Sequence, residues 1–127
     1  MKRDPPIDGQ ALVLVVEDEP LIRIFTVQVL TEAGFQVEEA GDSDEALKQL
    51  NGGKINALVT DVDMPGRLDG CGLAWEVNAL CPRVALVIIS GVATPSPEEL
   101  PAKARFLRKP LAPEKLVAEL NQALSNG

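Results

Sequence analysis

The sequence contains no histidine and no tyrosine, and only 3% of its residues are aromatic. Without histidine it lacks the commonest metal ligand, the usual general base near neutral pH, and any phosphohistidine of its own. Chemistry on this chain must run on carboxylates, hydroxyls and lysines. Only two cysteines occur, Cys71 and Cys81. They fall near the two ends of one expected helix, about 15 Å apart and beyond disulfide reach, so both are expected as reduced structural thiols. No apolar run approaches the roughly 20 residues that cross a bilayer, and Met1-Lys2-Arg3-Asp4-Pro5-Pro6 leads into no signal-type stretch. A soluble, cytoplasmic protein with no membrane partner is expected. Positive charge is also in deficit: 12 Lys and Arg against 19 Asp and Glu give a net charge of −7. That sign opposes binding to a phosphate backbone, so no nucleic-acid partner is expected.

What is present fits one globular domain. The chain has 127 residues, 46% hydrophobic and 24% charged, enough for a single core. Residues 1–10 lack periodicity and read as a flexible tail, 11–124 as the domain, and 125–127 as a second tail. Apolar runs at Ala11 to Val16, Asn56 to Thr60, Val84 to Ile89 and Ala104 to Arg108 suit strands covered on both faces, and Gln36 to Ala40 alternates. Helices fall between them. The first begins at Pro20, with Ile22, Phe25, Val29, Leu30 and Ala33 as its buried stripe, and stops at Gly34. The second opens on Asp42-Ser43-Asp44-Glu45, with capping-box spacing, and closes at Asn51-Gly52-Gly53. The third runs from about Cys71 to Leu80. The last starts at Pro113 with Leu116, Leu120, Ala123 and Leu124 in line. Strand and helix alternate five times, which predicts an α/β fold with a doubly wound parallel sheet. One interval departs: Gly91 to Pro101 carries three prolines in seven residues, leaving room for at most one helical turn, from Pro97 to Leu100.

In an open parallel sheet the ligand crevice lies beyond the carboxyl ends of the strands. Glu17-Asp18-Glu19 follows the first run, Asp61-Val62-Asp63 the third, Ser90-Gly91 the fourth, and Lys109-Pro110 ends the fifth. Glu17, Asp18, Asp61, Ser90 and Lys109 are therefore predicted to share one edge. Singly, each has a bland reading as a helix cap or a solvated charge. Jointly, three carboxylates so close call for a cation. Oxygen ligands without histidine or thiolate point to Mg²⁺, with Mn²⁺ as a substitute. Phosphoryl chemistry suits such a site: Asp61 as nucleophile, Lys109 as neutralising ammonium and Ser90 as hydroxyl donor.

Five pieces in order carry a resemblance: Leu14-Val15-Val16-Glu17-Asp18-Glu19-Pro20, Leu58-Val59-Thr60-Asp61-Val62-Asp63-Met64-Pro65, Asp69-Gly70, Ile88-Ile89-Ser90-Gly91 and Phe106-Leu107-Arg108-Lys109-Pro110. The chain resembles the receiver domain of two-component response regulators from about residue 11 to 124. The resemblance implies a flavodoxin-like five-stranded sheet of order 2-1-3-4-5 and a phosphoacceptor that draws on a histidine kinase or histidine phosphotransfer protein. It implies Asp61 as phosphoacceptor, Asp18 as a direct Mg²⁺ ligand, Glu17 acting mainly through water, and the main-chain carbonyl of Asp63 as a further ligand. It implies that Ser90 and Phe106 form the switch, that Lys109 pairs with a phosphoryl oxygen, and that Lys109-Pro110 is a candidate cis peptide.

There are departures. The Gly66-Arg67-Leu68 loop is one residue longer than the common pattern, the switch ring is Phe106 rather than Tyr, and the family's fourth helix is shortened or missing. With no effector domain after Leu124, a stand-alone receiver speaking through a downstream protein is expected in a phosphorelay. On the first helix, Ile24 and Val27 project away from the expected stripe. They either dock the helical bundle of the donor or pack elsewhere. Trp75 and Cys71 fall opposite Leu73 and Val77, and a half-buried tryptophan is expected. Two further readings compete. Asp61-x-Asp63 also suits a haloacid dehalogenase phosphatase, although that fold wants Thr where this chain has Pro65. A pseudo-receiver would bind partners without phosphate, against the intact set of Asp61, Ser90 and Lys109.

Overall fold

The computed structural model describes residues 11–50, 54–64, 67–91 and 95–126. The expected tail at 1–10 and the helix stop at Asn51-Gly52-Gly53 lie outside them. Five parallel strands, β1 (Leu12–Val16), β2 (Gln36–Ala40), β3 (Ala57–Asp61), β4 (Ala85–Ser90) and β5 (Arg105–Arg108), form one sheet in the order β2-β1-β3-β4-β5. The crossovers are α1 (Pro20–Glu32), α2 (Ser43–Leu50) and α3 (Gly70–Leu80), and α4 (Pro113–Asn126) follows β5. Between β4 and β5 the described residues hold only a 3₁₀ turn at Pro97–Glu99. This is the doubly wound architecture that the alternation of runs requires.

Alternation along each central strand splits the core into two layers. Leu14, Val16, Leu58, Leu86 and Ile88 face α2 and α3, where Leu73, Ala74 and Val77 meet them. Val13, Val15, Val59, Val87 and Ile89 face α1 and α4, which contribute Leu30, Leu116 and Leu120. Each fully buried Leu contributes about 2 kcal/mol of transfer free energy. Strand β2 is an edge strand, and its Glu38 and Glu39 stay exposed, a charge pattern that discourages further strand addition. Asp42 caps α2 by accepting from the Glu45 amide at 2.8 Å, while Glu45 reaches back to the Gly41 amide at 2.6 Å.

Several expectations need correcting. Asp61 and Ser90 are themselves the last residues of β3 and β4 and do not follow them, because each remains in the ladder, Asp61 opposite Ile89 and Ser90 opposite Arg108. The last helix runs to Asn126 rather than Leu124, its final turn carrying a Ser125 Oγ bond to the Asn121 carbonyl. Helix α1 is turned relative to the expected stripe: Thr26 and Leu30 are its buried residues, Phe25 is 43% exposed, and Val27 packs on the core. Thr26 is buried at little cost, since its hydroxyl donates to the Ile22 carbonyl at 2.8 Å. Ile24, by contrast, is 58% exposed. Trp75 is half-exposed and its indole donates to the Glu99 carbonyl at 2.9 Å, which ties α3 to the short 3₁₀ segment.

Candidate functional site

The carboxyl ends of β1, β3, β4 and β5 meet at one edge because all four strands run the same way. Glu17 and Asp18 leave β1 directly after its last paired residue, Val16. Asp61 ends β3, Ser90 ends β4, and Lys109 follows β5 with its amide bonded to the Ser90 carbonyl at 2.9 Å. Glu17, Asp18 and Asp61 each offer a carboxylate oxygen within 4.8 Å of the others. Glu17 and Asp61 are each 5% exposed and Ser90 is 2% exposed, whereas Asp18 and Asp63 face solvent. The pocket is therefore polar at its floor and open at its rim.

Lys109 supplies the countercharge. Its Nζ donates to Asp61 Oδ2 at 2.8 Å and lies 3.4 Å from Glu17 Oε1. Burial works against the ammonium, yet the neighbouring Asp61 and Glu17 carboxylates outweigh it and hold its pKa above the ordinary value. Glu17 is pushed up to about 7, first by burial and then by the negative charge of Asp61, against the Glu19 amide and Lys109, which favour ionisation. The second oxygen of Asp61, Oδ1, accepts from the Asp63 amide at 3.2 Å. Both oxygens of Asp61 are thus oriented.

Three supports hold this geometry, and the first two leave no mark in residue spacing. A Cβ on Gly70 would sit 2.0 Å from the Asp61 carbonyl oxygen, so α3 can begin against β3 only because position 70 has none. A Cβ on Gly91 would lie 3.2 Å from the Lys109 stem, so Gly91 leaves the channel along which Lys109 reaches inward. Third, Arg23 of α1 donates from Nη1 to the Glu17 carbonyl at 2.7 Å. Its sequence signal was a lone basic residue one turn into the helix that follows the acid pair. The Lys109-Pro110 peptide is cis. Phe106, opposite Ile88 in the register, is half-buried against the α2 and α3 layer of the core.

The donors fit a hard divalent cation: all are oxygens, and three carboxylates share one ammonium. The family model for the response regulator receiver domain matches residues 13–121. The chain belongs to the response regulator receiver family. It is 35% identical over 123 residues to the sensor kinase CckA of Brucella abortus (strain 2308), a match covering 93% of this chain and 13% of that kinase. It is 30% identical over 115 residues to the response regulator receiver protein CpdR of the same organism, covering 88% of this chain and 95% of CpdR. Among solved structures, the receiver domain of the hybrid histidine kinase CckA is 32% identical with a TM-score of 0.76, covering 90% of this chain and 99% of that one. The receiver protein from Sinorhizobium medicae WSM419 is 26% identical with a TM-score of 0.86, covering 91% of this chain and 95% of that one. The chain thus spans a small part of some relatives and nearly all of others.

A receiver is a signalling domain rather than a conventional enzyme, and the acidic cluster here is typical of its phosphorylation site. The phosphatase alternative is thereby set aside. Among the described residues no helix is long and apolar enough to cross a membrane.

Proposed function

We propose that this receiver accepts a phosphoryl group on Asp61 from the phosphohistidine of a histidine kinase or a histidine phosphotransfer protein, and signals through a change of surface to a downstream protein. One observation supports this above the rest: the Lys109 ammonium lies 2.8 Å from Asp61 inside a cluster of three carboxylates. One Asp61 oxygen forms the new O–P bond as the donor's N–P bond breaks, and the electron pair stays on the donor imidazole nitrogen. Lys109 pairs with one phosphoryl oxygen and the Ser90 hydroxyl donates to another. Glu17, Asp18, Asp61 and the main-chain carbonyl of Asp63 are the groups that would hold Mg²⁺, with Mn²⁺ as a substitute. Such an ion, when bound, neutralises charge on the phosphoryl oxygens.

Ser90 and Phe106 form the switch in this reading. A hydroxyl drawn toward the new phosphoryl group leaves room for the half-buried ring on β5 to turn inward. The donor docks on α1. Leu21, Ile24 and Phe25 expose 78%, 58% and 43% of their surface, and an open apolar groove of about 670 Å³ runs from Leu21 and Phe25 to Pro110 and Leu111, beside Lys109. A helical bundle carrying the donor histidine fits such a face. The setting is cytoplasmic, and the acidic balance of the chain argues against a nucleic-acid partner.

The test is incubation with Mg²⁺ and acetyl phosphate, followed by mass spectrometry. Wild type gains one acid-labile phosphate at Asp61 and Asp61→Asn gains none. A wild-type chain that stays unlabelled refutes the reading and leaves a phosphorylation-independent binding module.

A further inference from the structure

The strand pairing of β1 ends at Val16, with the Glu17 amide still bonded to the Ala40 carbonyl at 3.1 Å. Beyond that point the chain turns into α1, and Asp18 lies in the turn with no strand to fix it. Arg23 spans this turn. Its backbone amide donates to the Glu19 carbonyl at 2.9 Å, and its Nη1 donates to the Glu17 carbonyl at 2.7 Å. One residue thus bonds the Glu17-Asp18 peptide through its side chain and, through its amide, the Glu19-Pro20 peptide that opens the helix. The Glu17 carbonyl belongs to the peptide plane that joins Glu17 to Asp18, so its direction sets where the Asp18 backbone begins.

The guanidinium is itself anchored. Its Nε donates to Glu39 Oε1 of β2 at 3.2 Å, and the Glu39 carbonyl accepts from Gln49 Nε2 of α2 at 2.6 Å. A Cβ on Gly41 would come within 3.3 Å of Nη1, so the absence of a side chain there leaves space for the fork. Lysine could not reproduce the arrangement in full, because its single ammonium lacks the planar pair of donors that meets two acceptors at once.

We infer that Arg23 is a positioning residue of the phosphorylation site: it sets the Glu17-Asp18 turn and thereby the affinity for the divalent cation. This rests on the metal-dependent phosphoacceptor reading above. The sign of the effect separates position from charge. Arg23 carries a positive charge against the backbone of the Glu17-Asp18 turn, so its removal would tighten cation binding if charge alone mattered. Loss of positioning weakens it, and supporting residues behind metal ligands are commonly worth about tenfold or more in affinity.

The experiment compares wild type, Arg23→Met, Arg23→Lys and Glu39→Gln by following backbone amide resonances during a Mg²⁺ titration. Amide exchange at Glu19 is measured in the metal-free chain, where that amide donates to Glu17 Oε2 at 3.1 Å. R23M, which keeps most of the stem, should bind Mg²⁺ about tenfold more weakly and exchange the Glu19 amide faster even without metal. R23K should recover most of the affinity, and E39Q should stay within about twofold of wild type, since it leaves the bond to the Glu17 carbonyl. Should R23M fail to fold, Arg23→Gln carries the same comparison. R23M or R23Q binding Mg²⁺ as tightly as wild type, or more tightly, overturns the inference. So does E39Q weakening binding as much as R23M, because the effect would then belong to the β2 ion pair. A wild-type chain that shows no saturable Mg²⁺ binding removes the metal site and this inference together, an outcome distinct from a normal wild type with an unaffected variant.

Discussion

Lowering the pH should weaken cation binding through Glu17, over a window the structure defines. Its carboxyl is 5% exposed and raised from 4.5 to about 7, chiefly by burial. A pKa raised in the folded state means that the folded chain holds the proton more tightly than the unfolded chain does. The resulting stability is fully present below pH 4.5 and is lost as the pH rises through 7. The difference amounts to about 3 kcal/mol. A divalent cation competes for the same carboxylate, so binding above pH 7 meets an ionised Glu17, and binding below it must first expel a proton. For one group titrating at about 7, the dissociation constant for Mg²⁺ rises about tenfold between pH 8 and pH 6. At pH 7 about half a proton is released for each ion bound. Lys109 stays charged throughout, since its pKa lies above the ordinary lysine value. Calorimetric titration in two buffers of different ionisation enthalpy reads both quantities. Glu17→Gln keeps the shape, removes the titration and should show a flat profile across the same range, with metal-free stability that no longer falls as the pH rises through 7. A wild-type dissociation constant that moves less than twofold between pH 8 and 6 would refute the reasoning, because it would mean that Glu17 is already ionised at pH 6 or takes no part in holding the cation.

Two further outcomes are expected. Gly70→Ala places a Cβ 2.0 Å from the Asp61 carbonyl oxygen, an overlap only backbone movement can relieve, so it should cost about 2 kcal/mol or more and lower the urea midpoint; an unchanged midpoint refutes the close approach. Charging the α1 patch with Leu21→Asp and Phe25→Asp should slow phosphoryl transfer from a phosphohistidine donor about tenfold or more while leaving labelling by acetyl phosphate unaltered, and equal slowing of both reactions would show damage to the site rather than to a docking face.

The strands and the position of the site are legible in the sequence for one physical reason, whereas the sheet order β2-β1-β3-β4-β5 is expected only from the family resemblance. Parallel strands buried on both faces read as unbroken apolar runs, and the point where each run meets a polar residue is also the point where the chain reaches the ligand edge. Glu17, Asp61 and Ser90 mark those points, while Lys109 follows the edge strand β5, Arg105 to Arg108, which is only partly buried. The rotation of α1 is not legible in the same way. Apolar spacing favoured a stripe through Phe25, but the folded helix buries Thr26 instead, because a threonine hydroxyl bonded to the Ile22 carbonyl enters a core without an unmet polar group. The supports of the site leave still less trace. Gly70 matters through an atom it lacks, and Arg23 acts on a carbonyl six residues back that belongs to backbone, whose direction no side-chain pattern encodes.

The supports and the charges answer one problem. Around Asp61, three carboxylates face a single ammonium, leaving two excess negative charges when all are ionised. A phosphoryl group brings negative charge of its own, so the site must be neutralised before such a group can approach at low cost. The fold neutralises it only in part: Lys109 is held by two of the carboxylates, and a proton held at Glu17 near neutral pH offsets at most one of the two excess charges. With that proton displaced, the two excess negative charges match one divalent cation. On the metal-dependent reading, burial of one carboxyl therefore couples cation affinity to pH, while Arg23 bonds the Glu17 carbonyl and Gly70 lets α3 begin against the Asp61 carbonyl.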